Sequence, residues 1–313
     1  MADKIATREA YGNTLVELGK INENVVVLDA DLAEATKTVY FKKAFPERFF
    51  DCGIAESNMI GVAAGLSTAG KIPFASSFAM FAAGRAFEQV RNTVGYPHLN
   101  VKIGATHAGI TVGEDGATHQ CLEDLALMRT IPGMIVINPA DAVEARAAVL
   151  AAAEINAPVY MRFGRAAVPV VFGDDYKFEI GKGALLASGT DVTIAATGIM
   201  VEQALAAREI LAAEGISAEV INIATIKPID DQLLYASASK TGAVVTAEEH
   251  NVIGGFGSAV CESLASSCPV PVMRVGVNDT FGRSGKVPPL LEMYGLTAQN
   301  IVDNAKKAIA LKR

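Results

Sequence analysis

Short, continuous apolar runs alternate with longer helical patterns along most of this chain, and that alternation limits the fold more than any other feature. Val25-Val26-Val27-Leu28-Asp29, Ile72-Pro73-Phe74-Ala75-Ser76, Val101-Lys102-Ile103-Gly104-Ala105, Met134-Ile135-Val136-Ile137 and Pro158-Val159-Tyr160-Met161-Arg162-Phe163 are each long enough for one strand. A shorter run, Phe49-Phe50-Asp51-Cys52-Gly53, lies between the first two. Most of these runs are not polar at alternate positions, which is how strands buried on both faces read. Helical patterns separate them: residues 7–19, with Tyr11, Leu15 and Leu18 on one face, a small-residue run to about residue 70, then residues 80–94 and 140–155. This predicts an α/β fold, a parallel sheet covered by helices on both faces.

A stretch richer in glycine and turn residues follows, at about residues 173–187. It is expected to be a linker between a first domain, 1–172, and a smaller α/β domain, 188–313. In the second domain the pattern predicts strands at 192–196, 217–222, 243–246 and 270–275, and helices at about 199–215, 258–266 and 298–311.

Charge and cysteine content exclude some functions. Net charge is -7 from 34 acids and 27 bases, without a basic block, so nucleic-acid binding is not expected. No stretch of about 18 residues stays apolar and uncharged, so no membrane span is expected. Met1-Ala2-Asp3-Lys4 has no apolar signal core. Cysteines 52, 121, 261 and 268 lack metal-type spacing and read as free thiols of a reducing, cytoplasmic setting.

The chemistry concentrates in residues 106–120, which hold two of the four histidines, two acids and three glycines. A strand-like run feeds this stretch, and an apolar pattern (Leu122, Leu125, Ala126, Met128) leaves it. A polar, glycine-rich loop at the exit of a buried strand is where α/β proteins put their chemistry; the plainer alternative is a surface turn with incidental histidines. His107 and His119 suit proton transfer near neutral pH. Their spacing of twelve is not a zinc pattern, and no metal ligands are expected in this chain. Glu56 lies just past a strand, between Ile54-Ala55 and Met59-Ile60. It is either a carboxyl in apolar company, able to share a proton with a nitrogen base, or an ordinary acid at a helix N-terminus. Phe78 and Phe81 are three apart, so they share a face if a helix has begun there. Arg8 and Arg162, at element ends, are solvated charges or anion holders. Gly255-Phe256-Gly257 lacks the third glycine of a dinucleotide fingerprint, so no nucleotide is expected there.

Gly113-Glu114-Asp115-Gly116-Ala117-Thr118-His119-Gln120 resembles the signature Gly-Glu-Asp-Gly-Pro-Thr-His-Gln of transketolases, with Ala117 in place of proline. Gly53-Ile54-Ala55-Glu56, Ser77-Phe78-Ala79-Met80-Phe81 and Thr246-Ala247-Glu248-Glu249-His250-Asn251 are similar to segments of the same family. The resemblance covers essentially the whole chain but only the C-terminal half of an ordinary transketolase. It implies a thiamine pyrimidine-binding domain followed by a transketolase C-terminal domain. It also implies that Glu56 bonds N1′ of the aminopyrimidine of thiamine diphosphate and stabilises the imino tautomer that deprotonates thiazolium C2. Phe78 and Phe81 would house the pyrimidine, with a third family aromatic falling at Gly84, and Asp31 would lie near the cofactor and substrate channel. His119 would assist at the substrate carbonyl or its adjacent hydroxyl, His107 would contact sugar hydroxyl and phosphate groups, Asp115 would bind a sugar hydroxyl, and Arg8 and Arg162 would hold the sugar phosphate. A phosphate-binding serine expected after Asp31 falls at Ala35, with Thr36, Lys37 and Thr38 as the possible substitutes.

The Gly-Asp-Gly…Asn motif that holds Mg²⁺ and diphosphate in such enzymes is missing; Gly173-Asp174-Asp175 lacks its glycine. The resemblance therefore implies a split enzyme. Mg²⁺ (or Ca²⁺) and diphosphate would be held mainly by an N-terminal transketolase subunit, in an α2β2 assembly with sites between subunits. The implied activity is transfer of a two-carbon ketol unit from a ketose phosphate to an aldose phosphate, in pentose phosphate metabolism. Rivals are a 1-deoxyxylulose-5-phosphate synthase fragment, a 2-oxoacid dehydrogenase β subunit and a non-catalytic assembly subunit. The spelling of the glycine-rich motif favours transketolase, and the retained Glu56, His107 and His119 speak against a non-catalytic role.

Overall fold

The apolar runs become strands. The computed structural model describes residues 4–173 and 175–312; the first three residues, Asp174 in the expected linker, and Arg313 fall outside them. The first half contributes β1 (Lys4–Ala6), β2 (Val25–Asp29), β3 (Phe49–Asp51), β4 (Ile72–Phe78), β5 (Lys102–Thr106), β6 (Ile135–Ile137), β7 (Val159–Arg162) and β8 (Ala167–Pro169). The second contributes β9 (Ala184–Ala187), β10 (Val192–Ala196), β11 (Ala218–Asn222), β12 (Thr225–Lys227), β13 (Val244–Asn251) and β14 (Val272–Val277).

The larger sheet has the order β12-β6-β7-β5-β4-β2-β3, and every pairing in it is parallel except β12 with β6. The smaller sheet runs β14-β13-β10-β11-β9, parallel except for β9. Both antiparallel edges depart from the expected pattern. β9 lies within the stretch expected to be linker, and β12 comes from the second half of the chain yet closes the sheet of the first. β1 and β8 form a separate antiparallel pair.

Tyr11, Leu15 and Leu18 of the helix Thr7–Ile21 are buried against Phe74, Phe163 and the alanine face of the helix Ala142–Glu154. Full burial of a side chain such as Leu15 contributes about 1.5–3 kcal/mol. Asp141 caps the second helix by accepting the Glu144 N–H at 2.8 Å. The Tyr11 hydroxyl reaches Ser76 Oγ at 2.6 Å by crossing Gly104, where a Cβ would lie 2.2 Å from it, so only glycine fits beneath.

The helix expected at 80–94 is not regular. Two π-helical stretches, Met80–Arg85 and Val90–Gly95, flank a short α-turn, Phe87–Gln89. Such widened turns are common at functional sites. At Gly255-Phe256-Gly257, where no dinucleotide fingerprint was complete, the chain's own groups meet the helix N-terminus. The buried Glu248 carboxylate accepts the Phe256 and Gly257 N–H groups at 2.6 and 2.7 Å, filling the helix N-terminus from within. Among the described residues no helix is long and apolar enough to cross a membrane.

Candidate active site

The register of the larger sheet sets Asp29 beside Ser76 and Phe78 beside Thr106, so the carboxyl ends of β2, β4 and β5 lie side by side. Most of the expected site residues project from this edge or the loops that leave it.

Glu56 is the first residue of the helix Glu56–Thr68 and is 2% exposed. Its Oε2 accepts from Arg85 Nη1 at 2.9 Å, while its Oε1 receives only a long contact from Ser77 Oγ, 3.5 Å. Its surroundings are thus not purely apolar, and Arg85 was not foreseen. The Arg85 guanidinium also lies over the Phe81 ring, 4.5 Å from its centroid.

Phe78 and Phe81 lie nearly parallel, 14° apart with centroids 6.0 Å apart. The Phe78 ring stacks on His107 at 3.9 Å, and Phe81 meets His119 edge-on at 5.3 Å. The rings join the Glu56 region to the histidine loop.

His107 is buried and holds a left-handed backbone, φ 55°. Its Nε2 lies 3.0 Å from Arg8 Nη1 and its Nδ1 2.9 Å from Thr106 Oγ1. Arginine has only donors, so Nε2 must accept and the ring proton sits on Nδ1, donating to Thr106. Burial, followed by the charges of Arg8, Arg165, His119 and Lys37, lowers the His107 pKa to about 3. His107 is therefore a fixed neutral ring rather than the proton carrier expected near neutrality. His119 is half-buried, with Thr118 Oγ1 at 2.9 Å from its Nδ1. Asp115 is exposed at the end of the turn Ile110–Asp115.

Arg8 Nη1 also donates to the Ala35 carbonyl at 2.8 Å, and its buried Nε has no partner among the described residues. Burial and the nearby Arg165 lower the Arg8 pKa. The hydroxyls that could replace the missing serine are already committed. Thr36 and Thr38 both donate to Asp29 Oδ2, at 2.7 and 2.8 Å, and Lys37 pairs with Glu9 at 2.9 Å. Asp29, not singled out from the sequence, organises this loop; burial pushes its pKa up to about 6. Asp31 is exposed with φ 62°, and its N–H donates to Asp51 at 3.2 Å.

Arg162 departs most from expectation. It is 3% exposed, and its guanidinium is spent on Asp124 Oδ2 at 2.8 Å and on the Glu249 carbonyl at 2.9 Å. The Coulomb attraction of Asp124 and Glu249 outweighs burial and raises its pKa. It offers nothing to a phosphate. Arg165 lies closer to the site: it donates to Val112 O and, at 3.2 Å, to Glu114, and it is near enough to Arg8 and His107 to depress the pKa of both. The sequence held one signal for it, since Arg165 follows β7 in a loop whereas Arg162 ends the strand itself.

The donor set suits the aminopyrimidine end of thiamine diphosphate: a buried carboxylate with one weakly engaged oxygen, beside two parallel phenyl rings. Among the described residues no cluster of three or more His, Cys, Asp or Glu is arranged to hold a metal ion.

Residues 3–170 match the family model described as transketolase, pyrimidine binding domain, and 181–301 that described as transketolase, C-terminal domain. The chain is 55% identical to a putative transketolase C-terminal section of Methanocaldococcus jannaschii over 94% of its own length and 93% of the relative's. It is 47% identical to a 6-deoxy-6-sulfo-D-fructose transketolase subunit of a Clostridium species, over 97% and 95%. It is also similar to a solved structure described as split gene transketolase, inactive beta4 tetramer, with a TM-score of 0.92 at 60% identity over 99% of this chain and all of the other.

Proposed function

We propose that this chain, which belongs to the transketolase family, is the C-terminal subunit of a two-chain, thiamine-diphosphate-dependent transketolase. The observation that carries the proposal is the continuity of the site. Glu56 and the parallel Phe78 and Phe81 rings run directly into His107, His119 and Arg8. The aromatic and carboxylate groups suited to the cofactor are thus contiguous with the polar, cationic groups suited to a sugar anion.

Bound thiamine diphosphate would supply a nucleophilic carbon that carries a two-carbon unit from a ketose to an aldose. Glu56 would hold the pyrimidine ring nitrogen with the oxygen that Arg85 leaves open, and Phe78 and Phe81 would form the aromatic wall beside it. His119, half-exposed and facing the same space, exchanges the proton at the sugar carbonyl. His107 donates or accepts nothing new during the reaction; it is a rigid surface against which the sugar is oriented. Asp115 accepts a sugar hydroxyl. Arg8 and Arg165 attract the anionic end of the sugar, a task suited to paired guanidinium groups. Mg²⁺ and the diphosphate belong to an N-terminal partner subunit, in an α2β2 assembly. Four free thiols support a reducing, cytoplasmic setting.

A relative named for a sulfonated sugar makes the anion, phosphate or sulfonate, the open variable. The test is ketol transfer from xylulose 5-phosphate to ribose 5-phosphate with thiamine diphosphate and Mg²⁺, using the chain alone and mixed with the N-terminal subunit from the same source. Activity only in the mixture is expected. Pyruvate decarboxylation without ketol transfer would overturn the proposal.

A further inference from the structure

The turn that carries Asp115 and leads from His107 to His119 is gripped by the C-terminal domain. Glu249, in β13, is 2% exposed, and its Oε1 accepts the Thr111 N–H at 2.6 Å. The backbone rests directly on this carboxylate at Gly109, where φ is 79° and a Cβ would lie 2.2 Å from the carboxyl carbon of Glu249. Arg162 steadies the arrangement: its Nη2 donates to the Glu249 carbonyl at 2.9 Å, its Nη1 lies 4.0 Å from Glu249 Oε2, and its Nε is anchored on Asp124. The far end of the turn is held by Gln120, whose Nε2 spans the carbonyls of Ile110 and Gly113 and, across the domain boundary, Arg283 at 3.0 Å.

A buried carboxylate is costly unless it is paired and hydrogen-bonded. Glu249 has a cation in Arg162, but its short bond goes to a backbone N–H four residues from His107. Domain cohesion alone does not require that bond, because Arg162 already ties β7 to β13. We propose that Glu249 is a positioning residue for ketol transfer: acting through Thr111, it fixes the backbone of the turn and so aims Asp115 and His119 at the sugar. This gives the C-terminal domain a part in the reaction, and it rests on the function proposed above.

Two substitutions separate the hydrogen bond from the charge. Glu249→Gln keeps an acceptor for Thr111 but removes the charge facing Arg162. Glu249→Asp keeps the charge but shortens the reach by one methylene. Both are measured at pH 8, above the pKa of about 7 to which burial raises Glu249, so that its carboxyl is ionised. The readouts in the two-subunit assembly are ketol-transfer kinetics, thiamine diphosphate affinity by calorimetry, and backbone amide exchange across residues 108–119.

The expected order is Gln better than Asp. Glu249→Asp should speed exchange of the Thr111 amide and lower kcat/KM for the sugars about 10- to 100-fold, the usual effect of losing a charge-assisted hydrogen bond. Cofactor affinity should stay within about twofold, and Glu249→Gln should recover most of the activity. The reverse order, or a fall that follows cofactor affinity and melting temperature in both variants, overturns the proposal in favour of domain cohesion. An assembled wild type without ketol transfer would instead sink the proposed function; that outcome is distinct from a wild-type-like Glu249→Asp in an active assembly.

Discussion

Arg8 gives an N–H to Nε2 of His107 across 3.0 Å, joining the first helix to the loop that leaves β5. Because the donor is a guanidinium, the contact specifies one tautomer of the ring and disfavours its protonation. With four histidines in the chain, the imidazole nitrogens are readily resolved by ¹⁵N NMR. His107 should appear as the neutral Nδ1–H form from pH 5 to pH 9. In Arg8→Met its pKa should move up from about 3, because one of the charges that hold it down is removed. A wild-type His107 that titrates near pH 6.5 would contradict the fixed neutral ring, and one carrying its proton on Nε2 would contradict the assigned tautomer.

Glu56 should affect turnover more than cofactor binding. Glu56→Gln preserves shape and buried volume but cannot share a proton with the pyrimidine in the same way. A loss of about 10²- to 10⁴-fold in kcat is expected, the range for a removed acid–base group, with thiamine diphosphate affinity changed far less. Steady-state kinetics and calorimetry on the assembly test this together.

Arg162 and Arg165 should separate cleanly. Arg162→Ala leaves Asp124 buried without its cation, and breaking such a pair costs about 3–5 kcal/mol, so the variant should unfold at much lower denaturant. Arg165→Ala removes a half-exposed side chain (36%) whose carboxylate partner, Glu114, is more exposed (63%). It should fold normally and raise the sugar KM. Denaturation midpoints beside kinetics give the answer; normal folding with a raised KM in Arg162→Ala would restore the role first expected for it.

Burial pushes the pKa of Glu144 and Glu249 up to about 7 and that of Lys102 down to about 7. The acids hold protons in the folded state that they release when unfolded. Their stabilisation is complete below about pH 4.5 and is lost as pH rises through 7, at up to about 1.4 kcal/mol per pH unit for each group. Lys102 acts in the other direction, adding stability between about pH 7 and 10.5 as the unfolded state loses its extra proton. Urea denaturation at pH 5, 7 and 9 should therefore show a minimum near pH 7. Lys102→Met should flatten the alkaline limb and Glu144→Gln the acid limb.

The parallel core of the fold was legible because its strands are uninterrupted apolar runs that only a doubly covered sheet accommodates. β9 and β12 were not. Thr225-Ile226-Lys227 is too short to show a period and gains its partner only when β6 lies beside it. The site divides in the same way. Glu56, Phe78, Phe81, His107 and His119 were visible through their motifs and converge in the structure. Arg85 carries no local signal, since a charged residue in a helix usually faces water; its contact with Glu56 exists only after β4 and the π-helical stretch are in place. Thr36 and Thr38 showed their hydroxyls in the sequence but not that Asp29 would claim both.

The borrowed edge strand also bears on how the chain is made. β6 emerges from the ribosome some ninety residues before β12 covers it. Until then the nascent larger sheet ends on a bare row of backbone donors and acceptors, the kind of edge that recruits strands from other chains. A fragment stopping at the end of the first family match, residue 170, would keep that edge for good. Cutting the gene there should yield an association-prone half, whereas a break after Lys227 should spare the larger sheet and bare β10 of the smaller one instead.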